Sequence, residues 1–393
     1  MKQGWEIKKL GEVCNVINGL WVGKKEPFIN IAVIRNTNFS KDCQLQLDNV
    51  AFIDVEVKQF STRKLLQGDI IIEKSGGSDK QPVGRVVLFN IIDGNYSFSN
   101  FTSVLRIKST VPLIPNFLHK CLYEYYIKGE TIKLQSKTTG LRNLNMHAYL
   151  RLNIPVPPLS EQERIVAELD LLSDVIAKKR EQLKQLDTLA QSIFYDMFGD
   201  PIINEKGWKT KKLGDVFQTT SGGTPAKGHN EYYDNGTIPW LRSGEINKMY
   251  IYDTELYITE LGLHNSSAKW FPTNTVVIAM YGATVGQVGI LCKEMTTNQA
   301  VCGIFPNDEF IPIYIYHFLL SKKNEYIEIA AGGAQPNISQ NIVRNTLISC
   351  PPLSLQQQFA SKIESIEKQK ELIKQSLSEV QQLFDSRMDY YFG

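Results

Sequence analysis

From Ile165 onward, apolar residues recur in alternating steps of four and three. The series runs Leu169, Leu172, Ile176, Lys179, Leu183, Leu186, Ala190, Ile193 and Met197, with Lys179 its one polar member. The same rhythm returns near the end, at Phe359, Ile363, Ile366, Lys370, Ile373, Leu377, Val380, Phe384, Arg387 and Tyr391. A seam of this period, sustained for about five heptads, predicts two long coiled-coil helices rather than ordinary surface helices. Each would be about 60 Å long at 1.5 Å per residue, more than a single small domain can cover. Pro157-Pro158 cannot lie inside the first helix, and Ser160 with Glu163 predicts a capping box at its start. Lys179 and Lys370, polar in an apolar seam, are placed to fix its register or to snorkel outward.

Ahead of each helix the pattern is different. Short apolar runs broken by Gly, Pro, Asn and Asp, such as "DIIIEKSGG" (69–77), "RVVLF" (85–89), "TVVIAMYG" (275–282) and "VCGIF" (301–305), predict strands and turns. Helical spacing predicts shorter helices over 114–127 and 311–329.

The two long helices are part of a wider repeat. "GWEIKKLGEV" from Gly4 returns as "GWKTKKLGDV" from Gly207. "VIRNTNF" (33–39) aligns with "WLRSGEI" (240–246), which pairs Arg35 with Arg242, and "QPVGRVVL" (81–88) aligns with "ATVGQVGI" (283–290). From residue 140 the offset is a constant 194, so "NIPVPPLSEQER" (153–164) meets "LISCPPLSLQQQ" (347–358). The framing segments agree while the interiors diverge, which describes a duplicated scaffold carrying two different heads. The predicted fold is α+β. It divides into a first head (1–158), a long helix (159–199), a second head (200–352) and a second long helix (353–393). Similar halves packing through similar helices should approximate a two-fold axis. The helices are therefore expected to run antiparallel, with the heads at opposite ends and Gly393 near Met1.

Charge adds an asymmetry that the overall +2 conceals. Residues 1–158 hold 21 Lys and Arg against 13 Asp and Glu, a net of +8, whereas residues 207–350 hold 11 against 12, a net of −1. A basic first head suits a polyanionic partner. The six cysteines are scattered without a CxxC pair, which argues against structural zinc and fits a reducing cytoplasm. No apolar run is long enough to span a membrane, and "MKQGWEIKKLGEV" lacks the apolar segment of a secretory signal.

Catalytic signatures are missing from the sequence. There is no GxxxxGK[ST], no GxGxxG after a strand, no GxSxG and no [DN]PP[YF]. The five histidines are not spaced as metal ligands. "DVEVK" (54–58) could be the core of a metal-dependent nuclease, with Asp42 or Asp48 as a further carboxylate. Glu56 and Lys58 also fit the solvent face of a strand on which Val55 and Val57 point inward. The chain reads as a binder without metal, cofactor or catalytic site of its own.

Two heads on a spacer, the first of them basic, suit duplex DNA with two unlike half-sites. Base edges are read by side chains with paired donors or acceptors. In the first head these are Arg35, Asn36 and Asn38, then Lys74, Lys80 and Arg85, and Lys137, Thr139, Arg142 and Asn143 from "SKTTGLRN". The second head offers Thr224, Lys227, Arg242, Ser243 and Glu245, followed by Tyr281, Gln335 and Asn337. Glu161, Gln162, Arg164, Gln356 and Gln357 are expected on outward helix faces, available for protein partners. A coiled-coil adaptor whose heads bind proteins is the remaining alternative to a DNA reader or a nuclease.

Together, "SGGTP" (221–225), "IPWLRSGEI" (238–246) and "PPLSEQERIVAEL" (157–169) resemble the specificity (S) subunit of type I restriction–modification systems, often called HsdS. The resemblance covers the whole chain. It implies two target-recognition domains, a central and a distal repeat, and no catalytic activity. It further implies docking of two methyltransferase subunits, and of restriction subunits through them, on an asymmetric bipartite DNA target. S-adenosylmethionine, ATP and magnesium would then be held by the partner subunits. The first head departs from the pattern, with "NGLWVGKKEPF" (18–28) in place of the SGGTP string, and Leu355 stands where the first copy has Glu161.

Overall fold

The computed structural model describes residues 4–21, 23, 25–138, 141–331 and 337–393, with the backbone alone at 137 and 138. The chain forms two compact units, residues 1–179 with 376–393 and residues 180–375. Each unit therefore combines one head with the start of one long helix and the end of the other.

In the first unit, an antiparallel sheet has the strand order Cys14–Asn18, Thr102–Ile107, Asp69–Glu73, Val86–Phe89. A second sheet places Phe28–Ile34 between antiparallel Ala51–Glu56 and parallel Tyr96–Phe98. A three-stranded ribbon joins Gln135–Thr138, Leu141–Leu144 and Ser75–Gly77. The second unit has a five-stranded sheet ordered Thr219–Ser221, Val301–Ile304, Val276–Ala279, Val288–Leu291, Tyr250–Ile251. Its smaller sheet is built on Ile238–Leu241 paired in parallel with Met295–Thr297. The opening repeat forms the same substructure twice: Glu6–Lys9 pairs antiparallel with Asn153–Val156, and Thr210–Lys212 with Leu347–Ser349.

Continuous β-branched runs explain the central strands. Ile70, Ile71 and Ile72 are fully buried, as are Val277 and Ile278, because both sheet faces are covered. In the first unit one face packs on the helix Pro115–Ile127 through Phe117, Leu118 and Leu122. In the second, the helix Pro312–Ser321 does the same through Ile313, Tyr314 and Phe318. The expected single helix over 311–329 is interrupted at Lys322, whose N–H closes a tight turn on the Leu319 carbonyl before Lys323–Ala331 resumes.

The long helices are Leu159–Phe198 and Leu353–Phe392. In the first unit Ile165 and Leu169 share a core with Met388, Tyr391 and Phe392, and Glu168 pairs with Arg387. In the second unit Phe194 and Phe198 meet Phe359, and Lys370 pairs with Asp187 at 2.7 Å. The start of each helix thus lies along the end of the other, in an antiparallel coiled coil. Along both helices the predicted seam positions are buried or half-buried. Toward the helix ends the seam positions Ala190 and Tyr391 stay buried, but burial also moves to the off-seam Phe194, Phe198 and Met388, leaving Ile193 and Met197 half-buried. A straight helix turns 3.6 residues, so a stripe counted at 3.5 drifts by about 20° per heptad.

Three local expectations are corrected. The first long helix starts at Leu159, with the Pro158 carbonyl accepting from Glu161 and Gln162, so Ser160 lies inside the first turn and does not cap it. Gln162 and Gln356 are internal rather than on an outward face. The strand through Asp54 ends at Glu56, and a helix begins at Val57, so the alternation expected through Lys58 is not continued.

Chain ends and the central loop play matching parts. Trp208 donates from Nε1 to the Phe198 carbonyl, while Trp5 packs edge-on against Phe117, which in turn meets Phe392. Met1, expected close to Gly393, lies outside the described residues.

Candidate nucleic-acid interface

Both heads carry one backbone frame, visible as a chain of matched hydrogen bonds. Ser99 N–H donates to the Ile34 carbonyl, and Asn298 N–H to Leu241. Lys74 N–H donates to Phe101, and Met280 N–H to Ala300. Leu144 N–H donates to Lys74, and Ile338 N–H to Met280. The bulge is also shared: Glu73 N–H bonds the Arg85 carbonyl where Ala279 N–H bonds that of Gln287. The frame aligns Arg35 with Arg242, Ser75 with Tyr281, Asn100 with Gln299, and Asn143 with Asn337.

Within this frame, segments far apart in the first half converge around Ser75–Gly77. Ser75 Oγ donates to Asn143 Oδ1 at 2.5 Å, Arg142 Nε reaches Asp79 at 2.9 Å, and Asn36 Nδ2 lies 3.3 Å from Glu73. Lys74 Nζ bonds Asn18 at 3.0 Å, and partial burial lowers its pKa. Lys80 is exposed. A cavity of about 410 Å³ opens beside these groups, lined among others by Asn36, Lys41, Gly76, Ser78 and Gln81.

The cavity floor is an ion pair. Arg85 is 5% exposed and Glu73 1%, and the guanidinium bonds both carboxylate oxygens at 2.8 and 3.0 Å. Its remaining donors reach the carbonyls of Phe39 and Asn36. Burial works against the charged guanidinium, but the bond and charge of Glu73 outweigh it and raise the pKa. Asn38, 2% exposed, accepts from Arg35 N–H and donates to the carbonyls of Gln46 and Asn49. Asn38 and Arg85, expected to contact DNA, are therefore internal braces, because their polar atoms are consumed inside the head.

In the second head, Arg242 is held by Glu245 (2.9 Å) and Glu255 (2.6 Å), and Glu245 also accepts from the backbone of Arg242 and Glu255. The turn at Arg242 matches that at Arg35, with Glu245 serving in place of Asn38. Ser243 is half-buried on that turn, and Lys227 is exposed. Thr224 Oγ1 donates to Gln299 Oε1. Tyr281 bridges Asn337, and its ring is 44% exposed. Thr139 and Gln335 lie outside the described residues, as does the Lys137 side chain.

The acidic residues of "DVEVK" serve local structure. Asp54 accepts from Asn30 at 2.7 Å, and Glu56 accepts from Lys25 N–H and Gln59. Among the described residues, no group of three His, Cys, Asp or Glu side chains is arranged to hold a metal ion. None of the described helices is long and apolar enough to cross a membrane.

Two groups missed by pattern reading stand on the frame, Asn100 and Gln299. Each follows the first residue of a four-residue turn closed by Thr102 N–H to Ser99 O, or by Val301 N–H to Asn298 O. Their signal was a pair of polar residues in divergent sequence, which no periodicity marks.

The family model for the type I restriction modification DNA specificity domain matches residues 2–187 and again 205–382. The Escherichia coli EcoR124I/EcoR124II specificity subunit is 25% identical over 259 residues, 62% of this chain and 62% of that protein's length. The Methanocaldococcus jannaschii MjaIX specificity subunit is 23% identical over 398 residues, covering 92% of this chain and 86% of the relative. Among solved structures, a chain from a type I restriction–modification assembly superimposes with a TM-score of 0.60 at 19% identity, covering 100% of this chain and 98% of its own. The S subunit from M. genitalium gives 0.57 at 14% identity, covering 99% and 97%. At these identities the likeness is one of fold.

Proposed function

This chain belongs to the type I restriction–modification DNA specificity family, and from that premise we propose that it reads an asymmetric, bipartite duplex site, one half-site per head. The observation that carries this reading is the shared backbone frame, which presents different side chains in the two heads. Matched frames suit two similar grooves, and different side chains suit two different half-sites. The first head, with its net charge of +8, supplies the larger share of phosphate attraction.

The candidate contacts in the first head are Arg35, Asn36, Lys74, Lys80, Lys137, Thr139, Arg142 and Asn143. In the second they are Thr224, Lys227, Arg242, Ser243, Glu245, Tyr281, Gln335 and Asn337. Of these, Arg242 and Glu245 act chiefly as a pair that orients the turn. The domain boundaries at 158, 199 and 352 separate reading heads from helices that set the distance between half-sites. The chain has no catalytic role of its own. Two methyltransferase subunits dock on it and methylate the target, and restriction subunits join through them, all in the cytoplasm. S-adenosylmethionine, ATP and magnesium belong to those partners.

The test is co-expression with the cognate methyltransferase subunit, followed by mapping of methylated bases across the host genome. A two-part motif with a fixed unread spacer is expected. Methylation without such a motif would refute the reading.

A further inference from the structure

The matched turns Ser99–Thr102 and Asn298–Val301 carry an inference that rests on the DNA-reading role proposed above. At the second position of each turn stands an exposed carboxamide, Asn100 in one head and Gln299 in the other. The sequence around them differs, yet the residue chemistry and the backbone are the same.

The turns are rigidly seated. Gly19 passes so close to the first turn that a Cβ would fall 1.9 Å from the Ser99 carbonyl oxygen. Gly222 passes so close to Thr297, just ahead of the second turn, that a Cβ would fall 2.1 Å from its carbonyl oxygen. Leu20 N–H bonds the Phe98 carbonyl, and Gly223 N–H that of Thr297. The first residue of each turn holds a buried oxygen with no hydrogen-bond partner, Ser99 Oγ and Asn298 Oδ1.

The surroundings of the two amides differ. Phe101 follows Asn100 and is 42% exposed, while the matched Ala300 is buried. On the neighbouring strand the order is reversed, with Ser75 in the first head and exposed Tyr281 in the second. Each head therefore exposes one aromatic residue on this frame, at a different position in each. Thr224 adds a hydroxyl that orients Gln299.

We propose that Asn100 and Gln299 each read one adenine, at equivalent places in the two half-sites. A carboxamide offers one acceptor and one donor side by side. Among major-groove edges, only adenine presents the complementary pair, the N7 acceptor and the N6 amino donor. Guanine shows two acceptors and calls for Arg or Lys instead. A fixed turn backbone leaves only the side-chain torsions of the amide to be ordered at binding. Thr224 is a positioning residue, since it acts through Gln299.

The chain, assembled with its methyltransferase subunits, tests this by methylome mapping and by methylation rates on single-substituted duplexes. For the unaltered chain the motif is expected to contain an A·T pair in each half. N100A should admit other pairs at one position of the half-site read by the first head and leave the other half unchanged, and Q299A should do the reverse. The rate ratio between cognate and substituted DNA should fall at that position by about 5- to 150-fold. N100D and Q299E keep the shape but lose the donor, and should shift preference from adenine toward cytosine, whose amino group a carboxylate accepts. T224A should weaken discrimination at the Gln299 position alone. An unchanged motif in both alanine variants, or equal rate losses on every duplex, would overturn the assignment. Should the unaltered chain direct no bipartite motif, the DNA-reading role itself fails, a result distinct from either.

Discussion

Gln162 and Gln356 lie buried at the same turn of the two long helices and make the same three hydrogen bonds. Gln162 Oε1 accepts from Ile114 N–H, and its Nε2 donates to the carbonyls of Pro112 and Pro157. Gln356 Oε1 accepts from Ile311 N–H, and its Nε2 donates to those of Glu309 and Pro351. Each side chain ties the start of a long helix to the loop that launches the head's own helix.

Replacing either glutamine by leucine removes the partner of a part-buried backbone N–H and of two carbonyls, one of them, at Pro157 or Pro351, in a fully buried bond. A loss of about 2–4 kcal/mol is expected for each variant, from roughly 1–3 kcal/mol per unsatisfied buried group with partial relaxation. Denaturant unfolding checks this, and both variants should show losses of similar size.

The Glu73–Arg85 pair has its counterpart in Ala279 and Gln287. Glu73→Ala alone leaves an uncompensated buried guanidinium and should cost about 3–5 kcal/mol. Adding Arg85→Gln, which writes the second head's pair into the first, should recover a large part of that loss. A double variant no more stable than Glu73→Ala would show that the two frames are not interchangeable.

Lys80 is exposed beside the converging loops of the first head. If it meets phosphate, Lys80→Ala will weaken cognate and non-cognate duplexes alike. The slope of log affinity against log salt should then fall by about one unit. Titrations at several salt concentrations provide the measurement.

His317 is stacked on Phe194, with centroids 6.3 Å apart, and meets the edge of Phe359 at 5.1 Å. Burial, reinforced by the charge of Lys370, pushes its pKa down to about 3. The unfolded chain takes up this proton near pH 6.5 and the folded chain only near pH 3, so between those values the unfolded state binds more protons. The histidine's contribution is therefore present above about pH 6.5 and declines as pH falls toward 3. His317→Phe, which keeps the aromatic stacking, should flatten the pH dependence of stability across that window.

Much of this architecture was legible because it rests on repetition. The heptads mark both long helices, and the Arg35–Arg242 correspondence survives because each follows a strand and opens a tight turn whose third residue bonds back to it. What escaped detection depends on contacts that leave no period. Gln162 reads as one more polar residue in a charged first turn until the loop around Pro112 is folded against it. Arg85 reads as a surface cation until Glu73, on the neighbouring strand, is seen to bury it. Asn100 and Gln299 sit in two-residue turn tips, where alignment of divergent segments loses its footing and only matched main-chain bonds reveal the equivalence. The drift from Ile193 and Met197 to Phe194 and Phe198 arises because the helix keeps its own pitch.

The close passage of Gly19 against the first turn and of Gly222 against the residue that leads into the second has a consequence for descent. Because peptide groups and bare α-carbons do the anchoring, the amides above can be exchanged without disturbing what holds them. A lineage could alter its preferred word letter by letter at these tips while inheriting the support intact.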